Sequence, residues 1–344
     1  MCKRLFLVIC GAILLFGQGE LFAQRGGRGQ ETIEVRLASP LPRESPWGRT
    51  LDRIAAEWNR ITNGQVRLNV RHGGIEGSES RMFQSLASNS VQAAVFSSFG
   101  LSLIDPIIMT LSIPLLIRNE SELDAVMREV QADLEARFNS EHYFMLAWSR
   151  SGFVNIFSRD PVFTPDDLKR QRVASSPETP EANTAFRTMG FQIFEADWNE
   201  VGNRLNAGTV TAIYNQPAAV AAFQLHTIVR NMLYTNIAPV IGGLVINQVT
   251  WRRIGELNPR YQQELLTATR RIAMEFDASL PRTVNDAIEI MSRAGLRVNR
   301  PNPAQEQLWF NELEQALPSL IGSVYDRDLY TRINNILVRH RAGQ

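Results

Sequence analysis

PWGRTLDRIAAEWNRITNGQVRLNVRH, residues 46–72, is the stretch whose reading decides the fold. Leu51, Ile54, Ala55, Trp58 and Ile61 recur at helical spacing, which makes one helix face apolar. Asn63-Gly64 stops that helix. QVRLNVRH then alternates apolar and polar residues, as a half-buried strand does, and upstream IEVRLAS (33–39) alternates in the same way. Strand, helix and strand in that order make a β-α-β unit, hence a parallel sheet flanked by helices.

The pattern continues outward from there. SESRMFQSLASN reads as a second helix opened by Ser78, and VQAAVFSS as a third strand. Pro106 and Pro114 punctuate the chain before a polar helix around 120–138. YFMLAWSR and GFVNIFSR look like strands that run from one lobe into the next. RVASS, PEANTAFRTMG, FQIFEA, DWNEVGNRLNAG and TVTAIYNQP then repeat the alternation as a second α/β unit. The chain returns through MLYTNIAPVIGGLVINQVTW into a stretch expected to be one long helix, 259–294. The fold class is therefore α/β with two lobes linked by several crossings, a clamshell. Lobe I is expected at 33–150 with a return segment at about 237–255. Lobe II is expected at 151–236 with parts of 256–344, the long helix included. Ligands of such sheets sit at the carboxyl ends of the strands, here in the crevice between lobes. WSRSGFVNIF and IGGLVINQ are the expected hinges, with Gly152, Gly242 and Gly243 supplying backbone freedom or merely making turns.

The 344 residues exceed what one core of ~250–300 residues usually organises. A composition of 44% hydrophobic and 21% charged residues is that of a globular chain. The net charge of +1 and the lack of a dense basic run argue against a nucleic-acid partner. Residues 1–23 read as a secretory signal: Lys3 and Arg4, then the short apolar run LFLVICGAILLFG, then LFA before a cleavage site after Ala23. Both cysteines, Cys2 and Cys10, lie inside it, and Cys10 sits within the apolar run rather than after it, so lipid attachment is not expected. Residues 24–32 form a flexible leader.

Catalytic patterns are missing. His72, His142, His226 and His340 are scattered without metal-ligand spacing, and neither a nucleophile elbow nor a phosphate loop occurs. The expectation is a binding protein with no enzyme activity, no metal and no cofactor. Asp166-Asp167 reads as capping of the turn that follows, and GGIEGSES (73–80) as a strand-to-helix turn. Arg172 heads the short strand RVASS. It is either a solvated surface charge or a cation gripping a carboxylate through two parallel hydrogen bonds. Trp47, Phe96, Phe99, Trp148, Phe153, Trp198 and Tyr214 fall near strand ends, where they either pack the core or line an apolar pocket.

Taken together, the segments resemble the solute-binding subunit of a tripartite ATP-independent periplasmic (TRAP) transporter, of the DctP family. SPWGRTLDRIAAEWNRITNGQVRLNVRHGGIEGSESRMFQSL resembles that family's first helix, second strand and following glycine-acid segment. IDPIIMTLSIPLLIRNESELDAV resembles its "lPF" stretch, with Leu115 where Phe is usual. DDLKRQRVAS resembles "DLKGLKIRVP", and NRLNAGTVTAIYNQP resembles "ALQxGxVDGxEN". LNPRYQQELLTATRRIAMEFD and SRAGLRVNRPNPAQEQLW resemble its carboxyl-terminal helix and the segment after it.

The resemblance implies a periplasmic-binding-protein clamshell closing over one small organic acid and delivering it to membrane permease subunits, with an accessory periplasmic protein as a further candidate partner. It implies Arg172 as the carboxylate's partner. It also implies a ligand contact from Asn215 (counting from Leu205) or Gln216 (anchoring on Pro217), and an aromatic wall at Trp198. Val154 stands where many sialic-acid-type members carry a second Arg, and Ser97 where an acidic contact is found. These departures remove polarity, so the expected ligand is a monocarboxylate with an apolar or aromatic body. Arg172 would hold its head, Trp198, Phe99, Phe153 and Tyr214 would cover its tail, and Trp47 and Trp148 complete the candidate set. The rival readings are a receptor for an ABC importer or sensor kinase, a periplasmic enzyme, and an interaction protein whose cleft is vestigial.

Overall fold

The computed structural model describes residues 32–343, so the expected signal segment and most of the leader lie outside the described residues. The first half contains β1 (Ile33–Ala38), α1 (Pro46–Ile61), β2 (Val66–Arg71), α2 (Glu79–Ala87), β3 (Ala93–Ser97), α3 (Ser98–Ser102) and α4 (Glu120–Ser140). β4 (Tyr143–Ser158) leads to the second half: α5 (Pro165–Lys169), β5 (Arg172–Ser175), α6 (Pro180–Thr188), β6 (Gln192–Glu195), α7 (Trp198–Ala207), β7 (Ala212–Asn215), α8 (Pro217–Ala222) and β8 (Asn231–Leu233). The chain returns along β9 (Ala238–Asn247), then α9 (Gln248–Leu257), α10 (Pro259–Asp277), α11 (Leu280–Arg293), β10 (Arg297–Asn299), α12 (Pro303–Leu320) and α13 (Arg327–Ala342).

The strands run in the order β2-β1-β3-β9-β4-β7-β5-β6. β1 is parallel to β2 and β3, and β5 is parallel to β6 and β7, as the β-α-β pattern requires. β4 and β9 are antiparallel to each other and join the two halves. β4 pairs with β9 from Tyr143 to Val154 and with β7 from Asn155 to Ser158. It is one 16-residue strand, where the sequence pattern suggested two. The ladder shifts register between Arg150 and Phe153, and Gly152 there has φ 78°, a left-handed conformation that glycine adopts at little cost.

Local chemistry explains the ends of the elements. The Ser45 side chain accepts from the Gly48 amide at 3.0 Å, and Pro46 occupies the first turn of α1, where no amide partner is needed. Asn63 (φ 48°) and Gly64 (φ 78°) then take the left-handed turn that ends it.

The expected 259–294 helix is two helices. The break falls at Ala278–Ser279, ahead of Pro281, whose ring cannot follow a preceding helical turn. α10 packs its Tyr261, Leu265 and Ile272 with Leu51, Ile54 and Trp58 of α1, so it belongs to the first half and not to the second as expected. Met291 of α11 joins the core of the second half beside Phe157 and Ala174.

Asp277 closes α10, and one of its oxygens accepts from the Arg150 amide at 3.2 Å. Burial pushes its carboxyl up from 3.8 to about 6, with Glu120 and Asp124 adding to the rise and Arg150 opposing it. A carboxyl raised on folding supports the fold most at low pH and loses that contribution as pH climbs through the raised value. Asp277→Asn is therefore expected to flatten the stability profile between about pH 4 and 7. With solvent screening discounted, it should stabilise the neutral-pH protein by about 1–2 kcal/mol. Urea unfolding at acidic and neutral pH checks this, and a variant whose profile parallels the parent's refutes it.

Candidate ligand-binding site

Pairing locates the crevice. β3 ends at Ser97, opposite Gly242 of β9, which in turn faces Ser149 of β4. β7 ends at Asn215, opposite Asn155 of β4. The carboxyl ends of both parallel sets thus converge on the stretch where β4 and β9 cross between halves, the position that such sheets reserve for ligands.

From the second half the crevice receives a hydroxyl network. The Tyr214 hydroxyl lies 2.8 Å from Ser175 Oγ and 3.1 Å from Thr179 Oγ1. Ser175 also bonds the Asn183 side chain, whose amide donates to the Ser176 carbonyl at 2.9 Å. Burial pushes the Tyr214 phenol up against the opposing pull of those two hydroxyls. The Gln216 side-chain amide donates to the Ser151 carbonyl at 2.8 Å, tying the end of β7 to the crossing strand. Asn215 accepts from the Gln216 backbone amide at 2.7 Å.

From the first half comes Glu79, in the opening turn of α2. Its carboxylate accepts from the Ser97 amide (2.9 Å), Ser97 Oγ (2.7 Å) and the Gly100 amide (2.8 Å). Burial nevertheless pushes its pKa up, and the charge of Glu178 from the second half adds to the rise. A Cβ at residue 100 would stand 2.7 Å from Glu79 Oε2 and 2.3 Å from the Phe96 ring, so this approach depends on Gly100.

The Tyr325 hydroxyl and Glu181 Oε2 are among the buried side-chain atoms that have no partner among the described residues. Both atoms are buried. Burial pushes the Tyr325 phenol far up, and Glu181 and Tyr214 contribute to that rise, which puts all three within electrostatic reach.

Arg172 is not part of this site. It is the first residue of β5, and the crevice end is Ser175, roughly 10 Å along the strand at ~3.3 Å per residue. Its guanidinium donates to the carbonyls of Thr209 (2.9 Å) and Gly208 (2.5 Å), just past the last turn of α7, where a cation is stabilised by the helix dipole. Trp148 donates to Glu135 at 3.0 Å and packs on Phe138 of α4, while Trp47 packs on Phe276 of α10 at 4.4 Å. Both serve helix packing rather than the crevice. Phe153 is buried and Val154 half-buried on the crossing strand, and Phe99 is half-buried in α3 beside Ser97. Trp198 opens α7, and its side chain lies outside the described residues. Sequence reasoning missed Glu79, Ser175, Thr179, Glu181 and Tyr325. Glu79 had a visible signal, an acid directly after the helix-capping Ser78. Tyr325 had none, because it reaches the site from the far end of the chain.

Comparison with known proteins gives a consistent picture. A family model described as bacterial extracellular solute-binding protein, family 7 (DctP) matches residues 37–322. None of the curated proteins compared matches the chain. Among solved structures, a TRAP periplasmic solute-binding protein from Ralstonia eutropha with bound (S)-2-acetolactate is 19% identical, with TM-score 0.79, over 89% of this chain and 99% of that one. One from Ochrobactrum anthropi, with its C-terminus bound in the ligand-binding pocket, is 18% identical, with TM-score 0.80, over 91% and 97%. One from Chromohalobacter salexigens with bound D-glucuronate is 20% identical, with TM-score 0.76, over 88% and 99%.

Proposed function

The chain belongs to the DctP family of bacterial extracellular solute-binding proteins, and on that premise we propose that it is the periplasmic receptor of a TRAP transporter. It captures a small organic acid in the crevice between its halves and hands it to membrane permease subunits. The family is one of receptors rather than enzymes. A signal segment removed after Ala23 delivers the chain to the periplasm on this reading.

The ligand is a monocarboxylate with an apolar body that also bears a hydroxyl. The observation that carries this is the buried, unpartnered pair of Tyr325 hydroxyl and Glu181 Oε2 beside Tyr214. A buried polar atom left unpaired costs about 1–3 kcal/mol, so a ligand that pairs it gains that amount back. Tyr325 has a proton to donate to a carboxylate oxygen, and Glu181 has an oxygen to accept from a ligand hydroxyl. Phe153 and Val154 supply apolar wall. With Arg172 committed to backbone carbonyls and Val154 on the crossing strand, neutral donors meet the acid group instead of a guanidinium. The ligands in the related structures, acetolactate and glucuronate among them, support an acid that carries oxygen functions.

Calorimetry with hydroxylated monocarboxylates, their deoxy counterparts and short diacids tests the proposal. Hydroxy monocarboxylates are expected to bind most tightly, and Tyr325→Phe is expected to weaken them about tenfold. Binding of short diacids alone, or an unchanged Kd in Tyr325→Phe, overturns it. Closure follows by population shift, since a ligand touching both halves favours the closed form.

A further inference from the structure

A second cavity, of about 440 Å³, lies where the loop before α4, the ends of β8 and β10, and helices α11 and α12 meet. None of Tyr214, Ser175, Glu181, Gln216 and Tyr325 lines it. Arg118 and Arg300 do, together with Thr235.

The two guanidiniums are held in a particular way. The Arg118 guanidinium carbon sits 3.4 Å from the centre of the Phe310 ring, and that of Arg300 sits 3.7 Å from the centre of the Tyr234 ring. Stacking fixes the plane of each group and leaves its N–H edges free to donate. Neither forms a salt bridge among the described residues. Glu122, four residues after Arg118, is already committed: it accepts from the Arg118 backbone amide at 2.8 Å and from Arg341 at 2.8 and 2.9 Å. Glu306 also lines the cavity, and its charge acts on Arg118 together with those of Glu122 and Glu314.

Two buried atoms at this place lack partners: Arg118 Nε, and the Oγ1 of Thr235, a residue that is only 5% exposed. Burial also pushes the Arg118 guanidinium down, with Arg341 adding to the effect and Glu122, Glu306 and Glu314 opposing it, so a positive charge is kept here at a cost. A well-packed interior satisfies such donors or replaces them. The neighbouring amides are spent on structure: Asn155 donates to the Thr235 carbonyl (2.9 Å) and Asn236 to the Arg118 carbonyl (3.0 Å). What is left over, beside the Glu306 carboxylate, is donors, two of them charged.

We propose that this cavity is a second binding site, separate from the crevice, and that it takes a small oxyanion, a carboxylate or a phosphate, between Arg118, Arg300 and Thr235. Fork-shaped guanidiniums match the paired oxygens of either group, and the Thr235 hydroxyl supplies a third donor. The site adjoins the crossing strand. Val284 lines it, and the same Val284 methyl would stand 3.3 Å from a Cβ placed on Gly152. The Val284 side chain therefore stands between this cavity and the bulge through which the two halves are joined.

The test is titration of the full mature chain with inorganic phosphate and, separately, with citrate, followed by calorimetry and amide NMR. Saturable binding is expected for at least one probe, and which one binds identifies the oxyanion. Arg300→Gln, an exposed change that leaves the core intact, and Thr235→Val should each weaken it roughly tenfold. Tyr325→Phe in the crevice should leave it unchanged, which separates failure here from failure of the crevice assignment. The proposal falls if neither probe saturates by about 10 mM, a Kd beyond which binding is only a few kcal/mol. It falls equally if the Arg300 and Thr235 variants bind as the parent does, or if Tyr325→Phe abolishes binding.

Discussion

Gly242→Ala is expected to destabilise the protein by about 3 kcal/mol or more, enough to remove a large share of an ordinary domain's ~5–15 kcal/mol. A Cβ at this position would stand 2.4 Å from the Phe96 carbonyl oxygen, and that obstacle is backbone in the adjacent strand. No rotamer change can relieve it, so β3 and β9 would have to part where both halves depend on them. Gly243 provides the control. A Cβ there meets Met145 Sδ at 2.7 Å, the flexible end of a side chain that can swing away. Gly243→Ala should cost about 1 kcal/mol or less. Denaturant midpoints of the two variants decide the matter, and a Gly242→Ala protein within about 0.5 kcal/mol of its parent would falsify the argument. Neither glycine has a positive φ, whereas Gly152 does. The expectation that Gly242 and Gly243 lend backbone freedom thus misplaces their role. They are there for close approach, and Gly152 alone of the three uses the conformational latitude.

Much of the architecture was legible because it is written in periodicity. The alternation in 33–39 and 65–72, and the apolar stripe of α1 between them, are properties of contiguous residues, and the parallel pairing of β1 with β2 follows from their order. The break between α10 and α11 was less visible, since an apolar stripe continues on both sides of it and only Pro281 marks the place. The site was legible in outline only. Laid on Asp167-Leu168-Lys169 without a gap, the pattern DLKGLKIRVP puts its arginine on Ala174. Matching the letters RV had put it on Arg172. A two-residue slip keeps a strand residue on the same face but moves it about 7 Å along, here from the crevice side to the far end. Ala174 is fully buried in the core of the second half, so no guanidinium stands at that position. Groups such as Tyr325 and Glu181 come together only through tertiary packing of distant segments, and no window of sequence contains both.

Trp58→Ala should be as damaging as Gly242→Ala, through a cavity instead of a clash. Trp58 is fully buried in the layer between α1, β1 and α10. Its indole N–H donates to Thr269 Oγ1 at 2.8 Å, and that hydroxyl donates onward to the Leu265 carbonyl at 2.7 Å. Truncation removes the largest side chain of the layer and leaves a void that rigid neighbours cannot fill, a loss of about 3–5 kcal/mol. Trp58→Phe keeps most of the apolar contact and deletes only the hydrogen bond, so about 1–2 kcal/mol is expected. The ratio between the two variants measures packing against hydrogen bonding at this position. Comparable losses in both would mean that the bond to Thr269, and not the indole volume, holds α10 to the first half. The consequence reaches the crossing strand, because α10 ends at Asp277, which receives the Arg150 amide of β4. If α10 is fastened mainly by Trp58, the alanine variant should speed hydrogen exchange at the Arg150 amide before it does so in β5 and β7, whose core lies around Phe157 and Val201. Simultaneous loss of protection in both halves would show instead that they unfold as one unit.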